Sequence, residues 1–223
     1  MTDSALQRLN MVESQIRPSD ITDRRILRAM LALPRENFVP AGLTSLAYMD
    51  EVVPLFDPAE RKPGPVRSMM SPRTLAKLVQ LAQIDAAGRV LDVGAGRGYG
   101  AALIAQMAAN VVALECDETL VAKSKTLLAS AANITVVAGG LAAGFPQNGP
   151  YDVIVLEGSV FESPGTLLEQ LKPGGRLVGI LNDGAMGQAT VWSRQGNHYG
   201  SNTAFEASIG PLPGFERAIA FAF

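Results

Sequence analysis

Scarcity marks this chain of 223 residues first: it holds one cysteine, one histidine and one tryptophan. A lone Cys116 closes no internal disulfide, and with only His198 to join it no Cys/His set for a structural zinc can be assembled. A metal-free, intracellular protein is the expectation. Charge of one sign is also missing, because 19 Lys and Arg against 21 Asp and Glu leave a formal net charge of -2. So small a field does not draw a chain to phosphate backbones or anionic lipid, so neither nucleic acid nor membrane is expected as a partner. No apolar run approaches the roughly 20 residues that cross a bilayer. The opening stretch, MTDSALQRLNMVESQIRPSD, lacks the apolar core of a signal peptide, which points to the cytoplasm. What is present is a 48% hydrophobic composition, enough at this length for the core of one ordinary domain.

The N-terminal part reads as helical. Leu6, Leu9, Met11, Val12 and Ile16 recur at helical spacing until Pro18. Ser19 or Thr22 is placed to cap a second helix, in which Ile26, Leu27, Met30 and Leu33 share a face before Pro34. Residues 57–72, DPAERKPGPVRSMMSP, carry four prolines among charges and read as a structured loop, a lid or a linker. Residues 1–72 are therefore expected to form a helical extension with a substrate-side loop, and residues 73–223 the main unit.

From residue 73 helical and strand-like segments alternate. RVLDVGAG is a short buried strand opening into a glycine turn, and AALIAQMAA follows as a helix. VVALE, ITVVAG, YDVIVLEG and RLVGIL read as further strands, with TLVAKSKTLLASA and PGTLLEQL as helices. The last stretch reads as an antiparallel hairpin turning at Gly196-Asn197. The expected fold is α/β: a doubly wound, mostly parallel, seven-stranded sheet with that hairpin at its C-terminal end.

The chemistry is concentrated in Asp92-Val93-Gly94-Ala95-Gly96-Arg97-Gly98, where the first parallel strand hands over to a helix. Open α/β sheets bind ligands at such strand ends. A dinucleotide fingerprint needs its third glycine at the sixth place, and counting from Gly94 that place is Tyr99, so the template fails. Asp92, two residues before the first glycine, sits awkwardly beside a pyrophosphate but suits a ligand with an ammonium and a sulfonium. S-adenosylmethionine is such a ligand. Glu115, ending VVALE, is a candidate for both ribose hydroxyls, and Gly139, Gly140 and Leu141 for lining an adenine.

These segments resemble a family. LDVGAGRGYGAALIA, VVALECD, GPYDVIVLEGSV and LLEQLKPGGRLVGIL are similar to the successive motifs of class I S-adenosylmethionine-dependent methyltransferases, whose sheet is Rossmann-like. More narrowly, IRPSDITDRRILRAMLALPRENFVPAGLTSLAYMDEVVPL resembles the N-terminal region of protein-L-isoaspartate O-methyltransferases. The resemblance implies S-adenosylmethionine as methyl donor and, as acceptor, the carboxyl of an isoaspartyl residue in a damaged protein or peptide. It implies a donor site of Asp92, Gly94, Ala95, Gly96, Gly98 and Glu115, with backbone amides at Gly140 and Leu141. The family's loop of the form Gly-Gln-Thr-Ile-Ser-Gln-Pro corresponds here to Arg67-Ser68-Met69-Met70-Ser71-Pro72. Aligned on Pro72, Met70 stands at the serine implicated in handling the substrate, which leaves Ser68, Met70 and Ser71 as substrate-loop candidates. The family's Gly-Asp-Gly is Gly139-Gly140-Leu141 here, without the aspartate. Two alternatives stay open: a methyltransferase diverged to another carboxylate or small-molecule acceptor, and a non-catalytic donor-binding module.

Methyl transfer from a sulfonium needs alignment and dryness more than acid-base machinery. A carboxylate acceptor is already ionised near neutral pH, so the lack of histidine is no obstacle, and Glu157 is the carboxylate available should a base be needed. The plainer expectations are a helix cap for Ser68 and Ser71, loop packing for Met69 and Met70, a buried or half-buried non-nucleophilic Cys116, a solvated turn for His198, and sheet packing for Trp192.

Overall fold

The computed structural model describes residues 3–60, 66–182, 184 and 186–215. The chain opens on helix α1 (Asp3–Met11), which widens into a π turn over Val12–Ile16 and a tighter turn over Arg17–Ser19. The extra residue of a π turn shifts the phase of the buried face. Met11, Val12 and Ile16 are buried, whereas Leu6 and Leu9, expected on the same face, are exposed.

Helix α2 (Arg24–Ala32) buries Ile26, Leu27, Ala29 and Met30. Its cap is Asp23, whose carboxylate accepts from the Arg25 amide, and neither of the two expected residues serves. Ser19 donates to the Gln15 carbonyl instead, and the Thr22 backbone donates to the Gln80 side chain on the third helix. Two short strands, β1 (Val53–Pro54) and β2 (Ser68–Met69), pair antiparallel and tie the segment before residues 61–65 to the one after. Helix α3 (Pro72–Ala82) follows, with Pro72 in its first turn, where a missing N–H costs nothing.

The main sheet consists of β3 (Arg89–Val93), β4 (Asn110–Glu115), β5 (Ile134–Ala138), β6 (Tyr151–Val160), β7 (Leu171–Leu181), β8 (Gln188–Gln195) and β9 (His198–Glu206). Its spatial order is β5-β4-β3-β6-β7-β8-β9. The five strands from β5 to β7 run parallel, and β8 and β9 add antiparallel. The expected seven strands and closing hairpin are all present. The connecting helices are α4 (Tyr99–Ala105), α5 (Glu118–Leu127) and the short α6 (Gly165–Leu168).

In β3 and β4 every residue after the first is buried, as strands covered on both faces require. One core cluster joins Met11, Ile26 and Met30 of the N-terminal segment to Leu75, Leu103 and Val178, so the extension packs on one face of the sheet. The other face carries Leu91, Val93, Leu156, Leu168, Leu212 and Trp192. His198 is exposed on edge strand β9. Among the described residues no helix is long and apolar enough to cross a membrane, and no group of three or more His, Cys, Asp or Glu is placed to hold a metal.

Strand β3 is where the winding reverses. The chain runs from β3 outward through β4 to β5, then returns to the other side of β3 as β6. The crevice between diverging loops at such a reversal is the ligand position of open α/β sheets.

Candidate active site

Gly94, Gly96 and Gly98 all have positive φ, at 81°, 56° and 94°, which side-chain-bearing residues rarely adopt. The turn they make is held from inside. The Gly94 and Ala95 amides both donate to the Leu114 carbonyl, the Gly98 amide donates to the Ala95 carbonyl, and the Gly96 amide donates to Glu115 Oε2 at 2.8 Å. The four amides of the turn are thus occupied by the fold. The Gly94 carbonyl accepts from Arg67 Nη2, and the turn itself is buried.

Glu115 is fully buried at the end of β4 and densely partnered. Oε1 accepts from the backbone amides of Cys116 and Asp117 at 2.8 and 3.0 Å and from Arg67 Nη1 at 3.1 Å. Oε2 accepts from Arg67 Nη2 at 2.9 Å besides the Gly96 amide. Burial pushes this carboxyl up, but the Arg67 hydrogen bonds and charge, with the Asp117 and Gly96 amides, outweigh it and hold it below the usual range. Arg67 also reaches the Gly94 carbonyl at 3.4 Å. Cys116 is exposed, which corrects the expected burial or half-burial; at the strand's end its Sγ lies 3.7 Å from Arg67 Nη1.

Asp92 and Glu157 present the opposite picture. They stand on neighbouring strands, Asp92 level with Val155 and Glu157 two residues beyond, hence on the same face. Both oxygens of Asp92 and Oε1 of Glu157 are buried without a hydrogen bond of ordinary geometry. Burial raises Asp92 to about 7, with hydrogen bonding from the Glu157 carboxyl pulling it back and the Glu115 charge adding to the rise. Glu157 is raised well above its ordinary value, by burial first and then by Asp92, with Arg35 and Arg67 opposing. Glu157 fits only because residue 100 is glycine: a Cβ there would lie 1.7 Å from its Oε1.

Behind this pair lies Arg35, fully buried, donating to the carbonyls of Ala47 and Met70 and stacked 4.7 Å from the Tyr99 ring centre. Among the described residues its Nη1 and the Tyr99 hydroxyl make no hydrogen bond of ordinary geometry.

The substrate-loop candidates separate. Ser71 caps α3, its hydroxyl accepting from the Thr74 amide at 3.3 Å. Ser68 is half-buried in β2 and, contrary to expectation, caps nothing. Met70 is completely buried, and so is Met69 to within 4%. Both pack in the core cluster. On the far side of the turn, Leu141 is buried with its Cδ1 3.7 Å from where a Gly94 Cβ would stand, while Gly140 is exposed with open space around it. The adenine-loop candidates and the glycine turn are therefore brought together. Arg97 clamps the turn to the N-terminal segment through the carbonyls of Leu55 and Val39.

Sequence reasoning missed Arg67, Arg35, Leu55 and Leu212. Leu55 lies over Gly96 and Leu212 over Gly94. Nothing in local spacing links an arginine to a glutamate 48 residues on, or a leucine near the end of the chain to the first glycine of the turn.

A protein-family profile for protein-L-isoaspartate(D-aspartate) O-methyltransferases matches residues 7–208. A protein-L-isoaspartate O-methyltransferase of Herpetosiphon aurantiacus is 34% identical over 210 residues, covering 93% of this chain and 90% of its own. One from Methanoculleus marisnigri is 38% identical over 174 residues, 77% of this chain and 76% of its own. Among solved structures, a protein-L-isoaspartate O-methyltransferase superposes with a TM-score of 0.81 at 26% identity, covering 93% of this chain and 66% of that one. A Plasmodium falciparum protein solved in complex with S-adenosyl-L-homocysteine shares the fold, with a TM-score of 0.74 at 18% identity over 95% of this chain and 99% of that one.

Proposed function

The chain belongs to the protein-L-isoaspartate(D-aspartate) O-methyltransferase family, and from that premise we infer that it methylates the carboxyl group of L-isoaspartyl residues in damaged proteins, with S-adenosylmethionine as donor. The observation that carries the reading is a glycine turn flanked by two buried carboxyls, Asp92 and Glu115, at the ends of adjacent parallel strands. That pairing suits a cationic adenosyl ligand without phosphate and disfavours a pyrophosphate.

The residues present fit this donor. Both Asp92 oxygens are buried and unpartnered, an arrangement that persists when a ligand completes it. β-Carbons on the glycine turn would collide with Leu212, Leu55 and Leu128, so only glycine lets these side chains lie against its backbone, and Arg67 Nη2 reaches the Gly94 carbonyl there. Asp92 and the Gly94 carbonyl would face the donor's positive end, Glu115 would take the ribose hydroxyls, and Gly140 and Leu141 would border the adenine.

The donor supplies an electrophilic methyl on a good, neutral leaving group. The chain's task is alignment and exclusion of water. A carboxylate acceptor arrives ionised, so the protein needs no group to take a proton from it. Leu55 and Leu212 supply apolar cover over the glycine turn, and the described N-terminal segment borders the crevice through Leu55 and Arg67.

The test is incubation of the purified protein with methyl-labelled donor and an L-isoaspartyl peptide. Label is expected in the peptide as a base-labile ester and absent from the matched aspartyl peptide. One observation favours a second reading: Met70, at the family serine position, is wholly buried and offers only its backbone carbonyl, which Arg35 takes. If the isoaspartyl peptide stays unlabelled while another carboxylate or small molecule is methylated, the diverged acceptor is correct. Donor binding without turnover of any acceptor would make the chain a binding module.

A further inference from the structure

The densest set of contacts in the crevice converges on Glu115, and one of its partners, Arg67, is a side chain that methyl transfer does not call for. A carboxylate has about four lone-pair sites. On Glu115, Oε1 already accepts two backbone amides and Arg67 Nη1, and Oε2 accepts the Gly96 amide and Arg67 Nη2. The three backbone amides leave about one site for a ligand, and Arg67 takes it, so the ribose has no place on Glu115 while Arg67 is there. The guanidinium fork presents two parallel N–H groups to the two carboxylate oxygens, the pattern in which two neighbouring hydroxyls would present two O–H groups. Its positive charge lies 3.4 Å from the Gly94 carbonyl, a position suited to the donor's own cation.

A second contact lies over the same ground. The backbone at Ile209–Leu212 is laced to Ser159, whose amide and hydroxyl donate to the carbonyls of Gly210 and Ile209 and whose carbonyl accepts from the Leu212 amide. This brings Leu212 Cδ2 to 2.6 Å from where β-carbons of both Gly94 and Gly158 would stand. Arg67 and Leu212 therefore fill the mouth of the glycine cradle from two sides.

We propose that Arg67 is a self-supplied occupant of the donor site, competing with the ribose for Glu115, so that this residue sets donor affinity and the donor binds only as the Arg67–Glu115 pair opens. The proposal rests on the donor reading above. A site whose binding-competent form is a minority has its apparent affinity reduced by that fraction. Removing the competitor therefore tightens binding, whereas removing a residue that merely supports the crevice weakens it. The sign of the change separates the two roles.

The experiment is calorimetric titration of S-adenosylhomocysteine into the wild-type protein, Arg67→Gln and Arg67→Lys, with melting curves of each in the absence and presence of ligand. Arg67→Gln is expected to bind about tenfold tighter or more, with a lower melting temperature alone and a larger rise on adding ligand. Arg67→Lys keeps the charge but loses the bidentate fork, and is expected to fall between the other two. It carries the test if the glutamine variant does not fold. Equal or weaker binding by the variants overturns the competitive role of Arg67 and leaves the donor reading intact. Failure of every protein to bind overturns the donor reading, and this proposal with it.

Discussion

Two carboxyl sites stand side by side at the ends of the parallel strands and have been given opposite electrostatics. Glu115, ending β4, is saturated by backbone amides and an arginine and held ionised. Asp92 on β3 and Glu157 on β6 are just as buried, have no amide at three of their four oxygens, and are held toward the protonated form. Burial depth does not distinguish them. What differs is the supply of donors: β4 ends in a tight turn whose amides converge on its last side chain, while Asp92 and Glu157 project onto the face covered by α4 and Arg35. Ionisation in a closed crevice is decided by hydrogen-bond donors within reach more than by distance from water.

The contrast can be broken most forcefully at its ionised end. Glu115→Gln removes the counter-charge of Arg67, whose side chain is 11% exposed. Leaving one partner of a buried pair uncompensated costs about 3–5 kcal/mol, so a loss of about 3 kcal/mol in urea unfolding is expected, Arg67 keeping some access to water. A loss under about 1 kcal/mol, as for a surface pair, would mean that Arg67 finds another partner.

The protonated end is tested by pH. An Asp92 carboxyl at about 7 in the folded chain and near its ordinary value when unfolded keeps a proton on folding across the interval between. Stability from this group is fully present below the unfolded value and is lost as pH rises through the folded one, because the folded state binds the extra proton. Asp92→Asn should gain on the wild type by a few kcal/mol between pH 4 and pH 7. Parallel stability curves for the two proteins would mean that Asp92 is ionised throughout.

The smallest effect is steric. Gly100→Ala brings a methyl group against Glu157, and overpacking of this kind costs about 1–3 kcal/mol, offset by about 1 kcal/mol of improved helix propensity in α4. A net loss of about 1 kcal/mol is expected. It should disappear in the Gly100→Ala/Glu157→Ala double variant relative to Glu157→Ala alone, and a persisting loss would place the conflict elsewhere.

Most of the fold is legible in local pattern. Continuous apolar strands followed by glycine or acidic turns mark β3, β4, β5, β6 and β7, and the Gly196-Asn197 turn marks the hairpin of β8 and β9. Errors fall at the N-terminal segment, where capping by Asp23 and the outward facing of Leu6 and Leu9 depend on a π turn and on Gln80 of a later helix. Such choices are made by partners remote in sequence, and no window of residues contains them.

The same division runs through the active site. The sequence alone determined the glycine turn, an acid two residues before it and an acid ending the next strand, because these obey the short-range geometry of a strand handing over to a helix. It also determined the near-absence of histidine and cysteine, and with it a chemistry of alignment. Only the tertiary structure decided which acid is ionised and what covers the turn. Arg67 reaches Glu115 across 48 residues, Leu212 reaches Gly94 across more than a hundred, and Ser71 is drawn into capping α3 while Met70 is drawn into the core. Charge state and access depend on the sum of neighbours in space, and that sum does not exist until the chain has folded.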